Sequence, residues 1–346
     1  RALRILLSLS LLALTAPVFA QQTGSASGKV TATDGSLLPG VTVEARSEVL
    51  PGPRVTVTGS NGEYRLPQLP PGDYTITFSM SGMQSVTRKA LVQLSQDTVV
   101  SPKLGIGIDE TVTVTAEASL VDKETATIST ALSNNQITSL PVGQEYRDLQ
   151  KLLPGIQYTQ DTTRGPSAGG SGQDNVYQFD GVNVNLPLFG TLSAEPSSHD
   201  IAQVTVIKGG ARAVDFNRAG GFLVDSVSKS GTSRFSGLVS YQMQSAGMSA
   251  GRKVATAAPS RFEEDRSWIT ASLGGPIVKD KLYFYGSYYR PERTRANQAN
   301  SYGELPEFNS TRNEGFGKLT FTPSQSFLFN LSYRDSKRVE KADLFA

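Results

Sequence analysis

The sequence predicts a mainly β chain of three successive units: a small β-sandwich, a mixed α/β globule, and the first strands of a transmembrane β-barrel. Three observations predict it. Residues 24–104 alternate apolar and polar almost without a break, cut by turn dipeptides. Residues 119–232 mix one helical period with short strands and glycine pairs. From Phe235 onward the strands lengthen, keep two unlike faces, and are joined by connections of alternately long and short length.

Bulk composition narrows the function. The 346 residues are 38% hydrophobic and 18% charged, with a net charge of +2 that favours no nucleic-acid partner. Cysteine is absent and there is one histidine. Cysteine nucleophiles, disulfides and Cys- or multi-His metal centres are therefore out, and neither a cofactor nor a metal site is expected. Arg1–Ala20 has the form of a signal peptide: Arg1 and Arg4, an apolar run Ile5–Leu14, then Val18-Phe19-Ala20 as a small-x-small cleavage site. The run is shorter than the ~20 residues of a membrane-spanning helix. The chain opens on Arg1 rather than Met and closes on Asp343-Leu344-Phe345-Ala346, which reads as a record of part of a longer protein.

Residues 21–104 read as the sandwich. Ala26, Gly28, Val30 and Ala32 share one face, and Val41/Val43/Ala45, Val55/Val57, Tyr64/Leu66 and Tyr74/Ile76/Phe78/Met80 repeat the pattern. Asp34-Gly35, Pro39-Gly40, Asn61-Gly62 and Pro70-Pro71-Gly72 supply the turns. The spacing suggests about seven strands. The segments Gly28-Lys29-Val30, Pro39–Val43, Gly59–Tyr64 and Leu69–Tyr74 resemble the carboxypeptidase regulatory-like domain. That resemblance implies a transthyretin-like sandwich without catalytic residues.

Residues 105–118 read as a linker. Gly105-Ile106-Gly107 loosens the chain, and the β-prone run Glu110-Thr111-Val112-Thr113-Val114-Thr115-Ala116 follows. This run is either the last strand of the sandwich or a peptide that adds to the edge of a partner's sheet.

Within 119–232, Tyr146, Leu149, Leu152 and Leu153 fall at helical spacing before Pro154-Gly155. Gly165–Gly172 is rich in Gly and Ser, Val176–Phe179 and Val182–Asn185 flank Asp180-Gly181 as a hairpin, and Pro187–Asp200 is a loop. The strand Val204–Ile207 stops at Lys208-Gly209-Gly210. A second pair, Gly220-Gly221, precedes the strand Phe222–Ser228, which ends at Lys229-Ser230-Gly231-Thr232.

Residues 233–346 accommodate five strands: Phe235–Ser245, Ser267–Leu273, Lys281–Arg290, Gly315–Thr322 and Phe327–Arg334. In the first, Phe235, Val239, Tyr241 and Met243 form the lipid face and Ser240 the opposite one. Tyr283-Phe284-Tyr285 and Tyr288-Tyr289 read as an interfacial aromatic girdle, and Glu263-Glu264-Asp265 as a solvated loop face. Both long loops carry mixed charge, Arg252, Lys253 and Arg261 with Glu263 and Glu264 in one and Arg293 and Arg295 with Glu304 and Glu307 in the other.

The order of these parts resembles a TonB-dependent outer-membrane receptor, in the Oar-like subgroup that carries an extra N-terminal carboxypeptidase regulatory-like domain. Glu110–Ala116 looks like a TonB box. Tyr177–Asn183, with Asp180 and Gly181, and Val204–Gly209, with Lys208 and Gly209, look like plug-domain segments, as do Gly220 and Gly221. Val227–Thr232, with Lys229, Ser230, Gly231 and Thr232, resembles the exit from the plug, and Gly274–Tyr283 the first periplasmic turn. The resemblance makes 119–232 a plug and 233–346 the start of a barrel of about 22 strands, a size at which the lumen is plugged. It implies TonB as energy-coupling partner, outer-membrane lipid around the strands, the sandwich and box in the periplasm, and an extracellular substrate that is an oligosaccharide, a peptide or a chelate. The sequence departs from the subgroup at Asp225 and Ser226, where apolar residues around an Asn are usual.

Other chemistry does not assemble. Ser197-Ser198-His199-Asp200 holds triad residue types, but a triad is a spatial arrangement that sequence neighbours do not make. Ser226-Val227-Ser228-Lys229 and Lys229-Ser230-Gly231 overlap, whereas the two penicillin-binding motifs they imitate lie far apart. Gly105-Ile106-Gly107 lacks the third glycine and the helix of a dinucleotide loop. The expectation is a non-enzymatic importer or receptor. The alternative is an adhesion or matrix protein that binds through its sandwich and uses the strands as an anchor.

Overall fold

The computed structural model describes residues 23–47, 49–50, 52–94, 96–107, 112–114, 128–140, 145–159, 165–186, 192, 195–209, 220–248, 264–296, 301–324 and 327–341. The signal-like segment, the ends of the Glu110–Ala116 run and the loop holding Arg252, Lys253 and Arg261 lie outside them.

The first unit is a sandwich. One sheet has the order β5 (Glu63–Leu69), β1 (Gly24–Lys29), β8 (Asp97–Val99). The other runs β10 (Val112–Val114), β7 (Val86–Val92), β6 (Gly72–Ser79), β3 (Thr42–Arg46), β4 (Arg54–Val57). A two-stranded ladder, β2 (Thr31–Ala32) with β9 (Lys103–Leu104), completes it. Alternation does the folding. Tyr74, Ile76 and Phe78 are buried while Asp73 and Thr75 on either side of Tyr74 are exposed, so β6 gives one face to the core. Tyr64 crosses to that core, edge-on to Phe78 at 5.4 Å, and its hydroxyl donates to the Val100 carbonyl at 2.7 Å. Gly28 is required by space: a Cβ there would sit 2.1 Å from the Val100 oxygen.

The second unit is built on a five-stranded sheet of order β11 (Ile128–Ser133), β14 (Ile201–Gly209), β15 (Leu223–Ser228), β12 (Val176–Phe179), β13 (Val182–Asn183). Helix α1 (Asn134–Ser139) follows β11, and Tyr146–Leu152 winds as a 3-10 helix. The Asp180-Gly181 hairpin forms with both residues at positive φ, 49° and 75°, the backbone that dipeptide favours. β15 is central and buried along its whole length. Asp225 and Ser226, the departures from the subgroup pattern, pack inside it, and the Ser226 hydroxyl meets the Tyr146 hydroxyl at 2.7 Å.

The third unit is an antiparallel meander: β16 (Ser236–Gln244), β17 (Glu264–Val278), β18 (Leu282–Arg295), β19 (Phe308–Ser324), β20 (Phe327–Lys341). Five strands form, four of them longer than the alternation alone marks out. Register aligns Ser240, Thr270 and Tyr289, and likewise Ser272, Ser287, Phe316 and Arg334. That face turns to the second unit. The other carries Val239 and Tyr333, 85% and 73% exposed, with Tyr241, Leu273, Phe321 and Phe329. No described helix is long and apolar enough to cross a membrane.

Two expectations are corrected. Tyr283, Tyr285 and Tyr289 are buried on the inner face rather than ringing the outside; only Phe284 and Tyr288 alternate outward. Glu264 is 3% exposed at the start of β17, not solvated, because two arginines of the wall neutralise it.

Candidate functional site: the seat of the globular unit on the wall

The second unit and the wall share one hydrophobic core. Tyr285 and Phe316 of the wall pack with Phe179, Ile201, Phe222 and Val224. Phe179 meets Phe316 edge-on at 6.2 Å. Around this contact, acidic side chains of the globular unit meet basic side chains of the wall.

Asp180 is the centre of the first cluster. Its carboxylate accepts from the Ser228 amide at 2.9 Å and the Ser228 hydroxyl at 2.6 Å, which ties the hairpin turn to the end of β15. Lys318 of β19, 3% exposed, reaches in to donate to the Ser228 hydroxyl at 2.9 Å and carbonyl at 3.3 Å, and stands 3.4 Å from Asp180. Burial, then the Asp180 charge, pushes the nearby Asp225 carboxyl up to about 7. Asp225 Oδ1 is buried without a hydrogen-bond partner among the described residues.

Asp200 anchors the second cluster. It ends the short Ser198–Asp200 3-10 turn, accepts from the Tyr285 hydroxyl at 3.2 Å and stands 3.6 Å from Arg334. Burial raises its carboxyl, with Arg334 and the hydrogen bonds opposing. The Arg334 guanidinium lies 4.6 Å from the ring centres of both Phe179 and Phe316 and pairs with Glu314. Glu314, 2% exposed, also accepts from the Ser197 amide at 3.2 Å and lies 3.6 Å from Arg312. The wall thus holds an Arg–Glu–Arg triad whose surplus positive charge is met by Asp200. Glu264 forms a second triad with Arg266 at 2.6 Å and with Arg293, and Arg266 feels Glu145 and Asp148 of the globular unit.

The sequence-singled residues divide between these clusters and other places. Asp180 is in the first; the Lys229 amide donates to the Asp200 carbonyl at 2.7 Å, and burial lowers the Lys229 ammonium. Ser230 and Gly231 flank Lys318 in a narrow cleft that Pro70 and Pro71 of the sandwich also line. A Cβ on Gly231 would fall 2.1 Å from the Phe284 carbonyl oxygen, so the segment that follows β15 runs directly on β18. Thr232 caps its own turn through Arg234. Gly181 completes the hairpin at positive φ. Lys208 and Gly209 lie at the far end of β14, where the Lys208 amine donates to the Pro154 carbonyl at 2.5 Å. Gly220 and Gly221 lie against Asp174 and Asn175; a Cβ on Gly221 would fall 2.2 Å from Asn175 Oδ1. Of the Glu110–Ala116 run, Val112, Thr113 and Val114 are described, as β10 on the sandwich; Glu110, Thr111, Thr115 and Ala116 lie outside the described residues.

Sequence reading missed the wall's half of the site. Lys318 and Glu314 stand on β19 and Arg334 on its neighbour β20, and only the register brings them to one face. It also missed Asn175, fully buried, whose amide donates to the Pro166 carbonyl at 2.7 Å and accepts from the Phe222 amide at 3.1 Å. His199 packs 6.5 Å from the Tyr289 ring, with its imidazole lowered by burial and by Lys229; its backbone amide, not its ring, bonds Ser197 Oγ.

The fold and the site define an arrangement: a globular α/β unit seated against the inner face of a β wall. Comparison with known proteins narrows it. The carboxypeptidase regulatory-like domain family matches residues 25–105. The TonB-dependent transporter Oar of Myxococcus xanthus is 29% identical over 288 residues, covering 75% of this chain and 26% of that protein. The chain therefore spans about a quarter of that relative's length. Similar solved structures include the siderophore receptor PirA from Acinetobacter baumannii (17% identity, 61% of this chain, 32% of that one, TM-score 0.46). The pyoverdine outer membrane receptor FpvA of Pseudomonas aeruginosa PAO1 is another (16%, 63% and 28%, 0.45). The chain thus carries a carboxypeptidase regulatory-like domain match at residues 25–105 and is similar over three quarters of its length to a TonB-dependent transporter.

Proposed function

We propose that this chain forms the periplasmic and plug portion, and the first wall strands, of a TonB-dependent transporter that takes an extracellular substrate across the outer membrane. The observation that carries the reading is the seat itself. A separately hydrogen-bonded sheet is closed onto the wall's inner face by Lys318–Asp180 and Arg334–Asp200 and by a core to which the wall contributes Tyr285 and Phe316. A body that fills a lumen in this way blocks it until it moves, and movement needs work from outside the membrane. In this reading 21–104 is the periplasmic sandwich, 119–232 the plug and 233–346 the start of the barrel. Residues Glu110–Ala116 are where TonB attaches, by adding a strand whose affinity comes mostly from main-chain hydrogen bonds.

The test is a pull-down between the full-length receptor and the periplasmic domain of TonB. Deleting 110–116 abolishes binding. Val112→Pro, which removes an amide donor and fixes φ, abolishes it too, whereas Val112→Ala is tolerated. Binding that is indifferent to the deletion sinks the coupling assignment and favours the adhesion reading.

A further inference from the structure

The three described residues of the coupling segment are already in a sheet. Val112, Thr113 and Val114 pair in parallel with Val86, Thr87 and Arg88 at one end of β7, as the outermost strand of the sandwich. The chain leading to them lies along the same side: the Gln84 amide donates to the Gly105 carbonyl at 3.0 Å, and Ile106 bridges to Met83. The other end of β7 is held by the plug. Gln203, a β14 side chain 1% exposed, accepts from the Leu94 amide at 3.1 Å and donates to the Val92 carbonyl at 3.2 Å. Its side-chain amide takes the place of a neighbouring strand there. The sandwich is thus fixed to the plug at one end of β7 and holds the coupling segment at the other. It cannot carry the segment away without breaking two buried hydrogen bonds.

We infer that the Val86–Arg88 edge of the sandwich is an internal binding site for the coupling segment, so that TonB engages it by strand exchange rather than by simple addition. This rests on the reading of 110–116 as the TonB-binding segment. The consequence is quantitative. A partner that needs the main-chain groups β7 already occupies sees only the released fraction of receptors, and its apparent affinity falls by that fraction. Three parallel residues make a short ladder, and parallel pairing is the weaker kind, so the site holds the segment without trapping it. Among the described residues the outer edge of β10 carries no further strand, and a partner adding there would need no exchange. The two routes are separable.

The chain's lack of cysteine supplies the experiment. Thr87→Cys with Thr113→Cys is introduced into a full-length receptor free of other cysteines, because these two positions are direct partners in the ladder. Arg88→Cys with Thr113→Cys, one residue out of register, is the control. The first pair cross-links readily and the control slowly. The oxidised first pair binds the periplasmic domain of TonB at least about tenfold more weakly than the same protein after reduction. No cross-link, equal cross-linking of both pairs, or equal binding in both redox states overturns the inference; the last means that TonB adds to the open edge. If the reduced receptor binds TonB equally with and without residues 110–116, the coupling assignment itself fails, whatever the cross-link shows about where the segment rests.

Discussion

The sandwich and the wall use the same two-residue alternation and aim it at opposite surroundings. In β6, Tyr74, Ile76 and Phe78 turn to a shared interior and the polar residues between them meet water. In β19 and β20 the apolar set Leu319, Phe321, Phe329 and Leu331 faces outward, while Glu314 and Lys318 are buried and Arg334 half-buried on the inner face. A sandwich buries its apolar faces against each other, so its charges stay outside. A wall in lipid gives its apolar face to the bilayer, and what it buries inside is polar. Buried charges then have to be matched one against another, because an isolated one costs several kcal/mol. The difference teaches that the two regions fail for different reasons: the sandwich by losing packing, the wall by losing a charge partner or gaining one on the wrong face.

The largest test of this contrast is Lys318→Met. It removes the cation beside buried Asp180 and costs about 3–5 kcal/mol, the range for breaking one side of a buried pair. Chemical unfolding of the full-length receptor measures it. Adding Asp180→Asn restores much of the loss, and a cost under about 1 kcal/mol would show that the pair is solvated.

Next is the outward face. Val239→Arg places a cation in lipid and costs about 2–4 kcal/mol near mid-membrane, whereas Ser240→Arg on the inner face is milder. Heat-modifiable migration of the full-length protein reports assembly. Equal damage at the two positions breaks the inside–outside assignment.

A third test uses pH. Asp225, pushed up to about 7, holds a proton in the folded state that the unfolded chain releases near its ordinary carboxylate range. The folded state therefore binds more protons between about pH 4 and pH 7, and stability falls as pH rises through that window. Acidifying from pH 7 to pH 5 stabilises the plug by about 2 kcal/mol, and Asp225→Asn removes the dependence. Burial raises the Asp200 and Glu145 carboxyls as well, so the comparison is between wild type and variant at each pH. A pH profile unchanged by the substitution refutes the assignment.

The smallest effect belongs to the sandwich. Tyr64→Phe keeps the packing against Phe78 and removes the bond to the Val100 carbonyl, costing about 1 kcal/mol in thermal melting. A loss as large as that at Lys318 would mean that the sandwich, too, hangs on a polar contact.

Much of the architecture is local and could be read. Asp180-Gly181 demands positive φ twice and so announces its hairpin. The alternation in Phe327–Arg334 names its two faces, and the turns at Asn61-Gly62 and Pro70-Pro71-Gly72 divide the sandwich. These features follow from backbone sterics and from which residues leave water, which a few neighbours decide. Lys318 meeting Asp180, Arg334 meeting Asp200, and Gln203 holding the end of β7 join residues between 109 and 138 positions apart. In each case the partners sit on different units. Nothing in the chain around any of these residues encodes its partner. Tyr285 and Tyr289 show the same limit, since an aromatic belongs equally well at a lipid interface or against a plug. Only the register of β17, β18 and β19, set across the whole wall, turned those rings inward. Composition and alternation determined which strands exist and which faces they show; the pairing of strands decided which buried charges would meet, because a one-residue slip would have sent each of them to the other side.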